Sequence, residues 1–190
     1  MIRLSIGCGS RLVPGWLNVD PAPIPGAIRA TADCLPCGDS SVECAVMFDV
    51  VEHLHPTREL PAALREVLRV LEPQGILRVT TPDLDKLVGA YRDDRWTLYE
   101  ASQPLSFRKA TRAEKFSMIA FGNHAETTPA GVYDGHQGLF DEAALVAALR
   151  AAGFKEVVRQ RTRESLSETI RNTVADPWPA TALIVEAVKW

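Results

Sequence analysis

The chain of 190 residues is long enough for one domain with a buried core. Its composition, 46% hydrophobic and 24% charged, is ordinary for a globular protein, and its formal net charge of -3 argues against a nucleic-acid backbone as the main partner. No apolar run approaches the ~20 residues of a membrane-spanning helix. Met1 leads directly into a strand-like segment, so we expect no signal peptide, a cytoplasmic location and reduced cysteines.

Short apolar runs alternate with helical patterns along the chain, which predicts an α/β fold with a mostly parallel sheet. The first run, residues 4–6, ends at a Gly-Cys-Gly turn, and the second, residues 16–19, ends at Asp20. A weak third strand is predicted over residues 27–31. Residues 44–48 are all apolar, which predicts a central strand of the sheet.

The middle and end of the chain carry two clear helix signals. Residues 57–71 repeat apolar side chains at helical spacing, which predicts an amphipathic helix. A turn at residues 72–75 and a fifth strand at residues 76–80 follow. Asp141 is typical of a helix N-cap and Gly153 of a helix end, so a second helix is expected between them.

Residues 91–138 fit the alternation least well, because they combine aromatic residues, polar loops and two histidines. Two compatible interpretations stay open: an irregular helical insertion that completes the core, and a lid that binds the acceptor of a reaction. Residues 157–158 and 182–185 are the last predicted strands. The whole pattern predicts one domain over residues 1–190, with a doubly wound, mostly parallel seven-stranded sheet and a small helical lid after the fifth strand.

The Gly-Cys-Gly turn and Asp20 form the first candidate site. Glycine lets backbone N–H groups approach a ligand closely, and a carboxylate at the end of the next strand can accept both hydroxyls of a ribose. A nicotinamide fingerprint would need glycine where Leu12 stands, and a phosphate-binding loop would need a Gly-Lys pair that is absent. The pattern therefore favours a ligand with a ribose but without a pyrophosphate.

Several segments together resemble one family, the class I S-adenosylmethionine-dependent methyltransferases, and within it a bacterial branch that acts on small molecules or sugars. They follow the order of that family over about residues 2–160: LSIGCG at 4–9, GWLNVD at 15–20, ADCLP at 32–36, VVEHL at 50–54, LREVLRVLEPQG at 64–75, HQGLF at 136–140 and AAGF at 151–154.

The resemblance implies S-adenosylmethionine as the cofactor and a set of residues that bind it. These are Gly7, Cys8 and Gly9 along the methionine part, Asp20 on the ribose hydroxyls, Asp33, Cys34 and Leu35 around the adenine, and Met47 and Phe48 beside the sulfonium.

Two departures from the family pattern affect these expectations. Ser5 stands where many relatives have an acid that helps to fix the glycine turn. Gln74 replaces a glycine in the turn before the fifth strand, a change without cost where φ is negative. A weaker cofactor site leaves open a second function, that of a non-catalytic S-adenosylmethionine-binding sensor or assembly domain. An oxidoreductase is disfavoured by Leu12.

The acceptor side has no motif that locates the reacting atoms. His124 and His136 are the candidate catalytic residues, since a neutral histidine can take a proton from an acceptor hydroxyl or amine. His53 is interpreted as a structural hydrogen-bonding residue. A zinc site can be considered for a set of five residues: Cys34, Cys37, Cys44, His53 and His55. A second C-x-x-C is missing, so no metal is expected.

The predicted function is transfer of a methyl group to an O, N or C nucleophile of a small-molecule or sugar-type acceptor. Nucleic acid and membrane are not expected as partners, and neither the acceptor nor the oligomeric state follows from the sequence.

Overall fold

The computed structural model describes residues 1–101, 103–122, 127–128, 131–132 and 135–190. His124 lies outside the described residues. The elements are numbered along the chain: β1 Ile2–Ile6, β2 Leu17–Asp20, β3 Ile28–Arg29, β4 Val42–Phe48, a 3-10 turn Val51–His53, α1 Glu59–Val70, β5 Leu71–Pro82, α2 Leu84–Asp93, α3 Thr97–Glu100, α4 Leu105–Lys109, α5 Arg112–Ala120, β6 Thr127–Thr128, β7 Gly131–Val132, α6 Glu142–Ala152, β8 Glu156–Arg159, α7 Glu168–Thr173 and β9 Ala182–Val188.

Seven of these strands form one sheet in the order β3-β2-β1-β4-β5-β9-β8. Strands β1 to β5 run parallel to one another, and β9 is antiparallel to both β5 and β8. The predicted seven-stranded, mostly parallel sheet is confirmed, with β4 in the centre. The strand order reverses between β1 and β4, and a crevice at the carboxyl ends of such neighbouring strands is the usual ligand site of this architecture.

Alternate side chains of β4 enter the cores on the two faces of the sheet. Ala45 and Met47 pack into the main core with α1 and α6, while Cys44 and Val46 pack with Trp16 and with α7 on the other face. This period of two explains why every residue of the strand is apolar from position 44 to 48. It also places helices on both faces, as predicted.

Both predicted helices are confirmed, with ends close to the predicted ones. Helix α1 buries Leu60, Leu64 and Val67 against the sheet. The Asp141 carboxylate accepts a hydrogen bond from the Ala144 N–H at 2.7 Å and caps α6, and Gly153 ends that helix with φ 117°.

Strand β5 begins at Leu71 and includes the four residues predicted as a turn. Within it, Gln74 has a φ of 66°, and its N–H donates to the Lys189 carbonyl at 2.7 Å. A side chain in this left-handed region costs about 1–2 kcal/mol relative to glycine. The replacement of the family's glycine is therefore strained here, because the φ is positive rather than negative.

The helices α2 to α5 build a small core of their own, separate from the main one. Its buried side chains are Leu87, Ala90, Trp96, Tyr99, Phe107, Ile119 and Ala120. The described part of residues 91–138 is therefore largely helical, and it packs around aromatic side chains. None of the helices in the described part of the chain has the length and apolar content that crossing a membrane requires.

A buried ion cluster joins β5 and β9 to the segment between β8 and β9. Arg78, which is 2% exposed, donates to both Asp176 carboxylate oxygens at 2.7 and 2.8 Å and to Glu186 at 2.7 Å. Glu186 also accepts hydrogen bonds from the Ser165 hydroxyl at 2.6 Å and the Leu166 N–H at 2.7 Å. Each charge in the cluster is thus paired by several hydrogen bonds.

Replacement of Arg78 by methionine should lower the free energy of unfolding by about 3–5 kcal/mol, because it leaves two buried carboxylates without a counter-charge. Urea unfolding of both proteins measures the difference. Arg3→Met is the matched control: its pair with Glu43 is partly exposed, and its loss should cost roughly 0–1 kcal/mol. Equal, small losses in the two variants would contradict the assigned role of the cluster.

Candidate functional site

A cavity of about 1320 Å³ opens at the carboxyl ends of β1, β2 and β4. The segments that follow these strands form one side of it, and residues of α3, α5 and the approach to α6 form the other. The wall includes polar and apolar residues from all of these elements and from the loop before β9: Gly7, Cys8, Gly9, Arg11, Asp20, Asp33, Phe48, Asp49, Glu52, His53, Tyr99, Met118, Ile119, His136 and Trp178.

The glycine turn after β1 lies on the cavity wall in a conformation that requires glycine. Gly7 has φ 64° and Gly9 φ 49°, and a Cβ on Gly7 would lie 2.6 Å from Val50 Cγ2. The N–H groups of Gly7 and Cys8 both donate to the Val19 carbonyl, at 2.9 and 3.1 Å. The turn is therefore held by the end of β2.

Asp20 completes this attachment of the turn. Its carboxylate, on a residue that is 8% exposed, accepts the Gly9 N–H at 2.8 Å on one oxygen and the Ala22 N–H at 2.9 Å on the other. Each oxygen keeps a further lone pair for a ligand hydroxyl. These contacts fix the turn without the acid that many relatives carry at the position of Ser5, which is buried here.

The three residues predicted around the adenine do not lie together on the wall. Asp33 is exposed and lines the cavity, whereas Cys34 and Leu35 do not line it. Leu35 packs into the main core, and its N–H donates to the Glu66 carboxylate at 2.9 Å. The segment is thus attached to α1 through Leu35.

Of the two residues predicted beside the sulfonium, only Phe48 lines the cavity. Met47 is 0% exposed and belongs to the main core, because it shares the face of β4 that packs against α1 and α6. The alternation of β4 therefore separates two neighbouring residues that the family pattern groups together.

Two acids beyond β4 lie on the cavity wall, and the sequence analysis assigned no role to either. Burial raises the pKa of Asp49 to about 6, against the opposing effects of Arg11 and of the Thr80 hydroxyl, which donates to it at 3.3 Å. Burial, followed by the charge of Asp49, raises the pKa of Glu52 well above its usual range. The signal available in the sequence was the placement of two acids three residues apart, directly after an apolar strand.

His53 and His136 meet beside Glu52. The His53 ring nitrogen Nδ1 lies 2.9 Å from the Gly135 carbonyl, and burial lowers the pKa of the ring. The centroids of the two imidazole rings are 4.9 Å apart. One ligand atom from each of Glu52, His53 and His136 lies within 4.8 Å of the others, an arrangement that can hold a metal ion. It shares only His53 with the metal set considered from the sequence.

The far wall of the cavity is more apolar. Tyr99, Met118 and Ile119 come from the helical segment predicted as a lid. Trp178 comes from the loop before β9 and packs under Arg11, whose guanidinium lies 4.9 Å from the ring centroid. No sequence pattern pointed to Trp178, since its position depends on the segment that the Arg78 cluster holds.

Comparison with known proteins agrees with this arrangement. A family model described as a methyltransferase domain matches residues 4–160. No sequence among the curated proteins matches the chain.

Three solved structures have the same fold. A methyltransferase of Thermotoga maritima is 19% identical with a TM-score of 0.60, over 100% of this chain and 82% of that one. One of Archaeoglobus fulgidus is 14% identical with a TM-score of 0.56, over 98% and 85%.

The third is the 1,6-didemethyltoxoflavin N1-methyltransferase of Burkholderia thailandensis, with bound 1,6-didemethyltoxoflavin and S-adenosylhomocysteine. It is 19% identical with a TM-score of 0.56, over 99% of this chain and 70% of that one. The family match covers most of the chain, and the sheet order and the cavity at the strand ends agree with it. The chain therefore belongs to the class I S-adenosylmethionine-dependent methyltransferases, with S-adenosylmethionine as its cofactor.

Proposed function

We propose that this chain transfers the methyl group of S-adenosylmethionine to an O, N or C nucleophile of a small-molecule or sugar-type acceptor. The observation that carries the proposal is the size and two-sided lining of the cavity. Its volume of about 1320 Å³ exceeds the ~300–1,000 Å³ of a typical site for one ligand, so a cofactor and a small acceptor can share it.

The charge of the cavity supports a small acceptor rather than a nucleic acid. Acidic side chains recur along the wall, among them Asp20, Asp33 and Glu59. Arg11 is the only lysine or arginine on the part of the wall that the structure describes. A polyanionic backbone needs several such cations, so it would be repelled here.

The cofactor is expected to lie across the ends of β1 and β2. The Gly7 to Gly9 turn takes the methionine part, Asp20 the ribose hydroxyls and Asp33 the adenine. Phe48 supplies an apolar surface near the sulfonium. Leu35 and Met47 lie in the main core, which favours an indirect role for them through packing of the elements that carry the wall residues. Cys34 is exposed away from the wall, and we assign it no contact with the cofactor.

The reaction is a direct displacement. The acceptor nucleophile forms a bond to the methyl carbon, the carbon–sulfur bond breaks, and its electron pair stays on sulfur to give S-adenosylhomocysteine. Such a step depends mainly on in-line positioning. A protonated acceptor must also lose a proton. His136 is the candidate base among the described residues, and His124 is a second candidate that lies outside the described residues.

A non-catalytic sensor is the alternative function. Its main support was the missing acid at Ser5, and the hydrogen bonds from the glycine turn to Val19 and Asp20 compensate for that acid. Free thiols at all four cysteines suit the proposed cytoplasmic location.

Removal of the Asp20 carboxylate should weaken cofactor binding. Hydrogen bonds to a charged group contribute about 1.5–3 kcal/mol each, so Asp20→Ala should raise the dissociation constant of S-adenosylhomocysteine by about 100-fold or more in calorimetric titration. Asp20→Asn keeps one acceptor oxygen, so its dissociation constant should lie between those of Asp20→Ala and the parent protein.

Circular dichroism confirms that both Asp20 variants are folded, and NAD serves as the ligand that should not bind. Unchanged affinity for S-adenosylhomocysteine in the folded Asp20→Ala protein would contradict the assignment of the ribose site.

The neighbouring residues Met47 and Phe48 allow a second, matched test. Phe48→Ala should weaken S-adenosylmethionine binding, because it removes an apolar surface of the cavity. Met47→Leu conserves volume in the core and should leave the affinity unchanged. Calorimetry of both variants measures the affinities, and a larger loss of affinity for Met47→Leu than for Phe48→Ala would reverse the assignment.

A further inference from the structure

Three side chains with metal-binding atoms converge on the cavity wall from two distant parts of the chain. Glu52 and His53 belong to the 3-10 turn after β4, and His136 precedes α6. One ligand atom of each lies within 4.8 Å of the other two. Around a four-coordinate ion with bonds of ~2.0–2.2 Å, ligand atoms lie about 3.3–3.6 Å apart. The three ligand atoms would therefore have to move closer together by about 1 Å to surround one ion.

Backbone hydrogen bonds hold the two segments together. The N–H groups of Gln137 and Gly138 donate to the Glu52 carbonyl at 2.7 and 3.1 Å, and the Gln137 side-chain amide donates to the His53 carbonyl at 2.9 Å. The His136 N–H donates to the Phe121 carbonyl at 2.9 Å. The cluster is thus built into the fold rather than formed by chance contact of mobile side chains.

The tautomer of His53 suits a metal ligand. A carbonyl oxygen only accepts hydrogen bonds, so the 2.9 Å contact with Gly135 places the ring proton on Nδ1 and leaves the lone pair on Nε2. A ring N–H donated to a backbone carbonyl is the usual arrangement behind a histidine that coordinates a metal.

Glu52 supplies the independent observation that points to a cation. The residue is 1% exposed, and neither carboxylate oxygen has a hydrogen bond of good geometry among the described residues, although the Thr81 hydroxyl and the Glu52 N–H lie close enough to lower its pKa against the effect of burial. No lysine or arginine forms an ion pair with it in the described part of the chain. Ionisation of a buried carboxyl group without a counter-charge is costly, and a divalent cation between it and the two imidazoles would supply that counter-charge.

We propose that Glu52, His53 and His136 bind a divalent first-row transition-metal ion, whose open coordination position takes an oxygen of the acceptor. Two histidines and one carboxylate are a known ligand set for Zn²⁺ and for similar ions, and three protein ligands leave a position for water or substrate. This inference rests on the proposed function and narrows it to an acceptor with a hydroxyl group.

The ion takes over the role of a general base, because it makes the acceptor hydroxyl lose its proton more easily. Oxygen bound to a divalent cation loses its proton more easily, as water does on zinc. The proton passes to solvent, the metal-bound oxygen attacks the methyl carbon, and the sulfonium sulfur keeps the electron pair of the broken bond. With the ion bound, His136 serves as its ligand. This role replaces the general-base role given to His136 above, and the proton does not pass to it.

Co²⁺ is the probe for the test, because it binds such sites and reports its coordination by visible absorption. The full chain is treated with a chelator, dialysed and titrated with Co²⁺ by calorimetry. We expect one saturable site with the spectrum of nitrogen and oxygen ligands. Glu52→Gln and His136→Ala should each weaken binding at least tenfold, about 1.4 kcal/mol. His55→Ala is the matched control, since His55 is two residues from His53 but outside the cluster, and it should leave binding unchanged.

Absence of saturable binding would overturn the inference, and so would equal binding by the parent protein, Glu52→Gln and His136→Ala, or a spectrum dominated by thiolate ligands. Thermal unfolding shows that each variant is folded, and Glu52→Gln keeps the shape of the side chain it replaces. Titration of the same metal-free protein with S-adenosylhomocysteine separates the two proposals. Cofactor binding without Co²⁺ binding would overturn only the metal site, whereas Co²⁺ binding without cofactor binding would overturn the proposed function.

Discussion

The pair of backbone hydrogen bonds that Asp20 accepts is the contact on which the cofactor site depends. One carboxylate oxygen holds the Gly9 N–H of the turn after β1, and the other holds the Ala22 N–H after β2. The same group joins the ends of two parallel strands and presents a negative charge where a ribose is expected. The proposed ribose-binding side chain is therefore also a structural one, and the turn that it holds requires glycine at Gly7, where a Cβ would lie 2.6 Å from Val50 Cγ2.

The other side of the cavity depends on a different contact. Arg78 pairs with Asp176 and Glu186 inside the protein, and it thereby holds the segment that ends in Trp178. Trp178 then reaches the cavity and meets Arg11, which follows the glycine turn. A buried ion cluster outside the cavity lining thus supports the wall at Trp178.

Local patterns predicted much of the fold. The apolar run of β4, the helical spacing of α1 and the cap at Asp141 each depend on a few neighbouring residues, so each was correctly predicted. The strain at Gln74 was not, because its positive φ accompanies a hydrogen bond from its N–H to the carbonyl of Lys189, a distant residue directly after β9. Contacts of that kind are absent from a local pattern.

Most of the residues predicted for the cofactor lie on one cavity wall, whereas the acceptor side has no motif that locates the reacting atoms. Asp20 and Asp33 end or follow strands in a known order, and the family pattern carries that order. Met47 was grouped with Phe48 although the period of two along β4 already separates their side chains. Glu52 and His136 lie close together in the structure although they are more than eighty positions apart in the chain, and no spacing in the sequence predicts this contact.

A crystal structure of the chain with S-adenosylhomocysteine tests the central claim most directly, namely that this cavity binds the cofactor across the ends of β1 and β2. The account predicts the ribose hydroxyls within hydrogen-bond distance of the Asp20 carboxylate, the adenine beside Asp33 and the sulfur near Phe48. Density for the ligand in another part of the protein, or a ribose that does not contact Asp20, would contradict it.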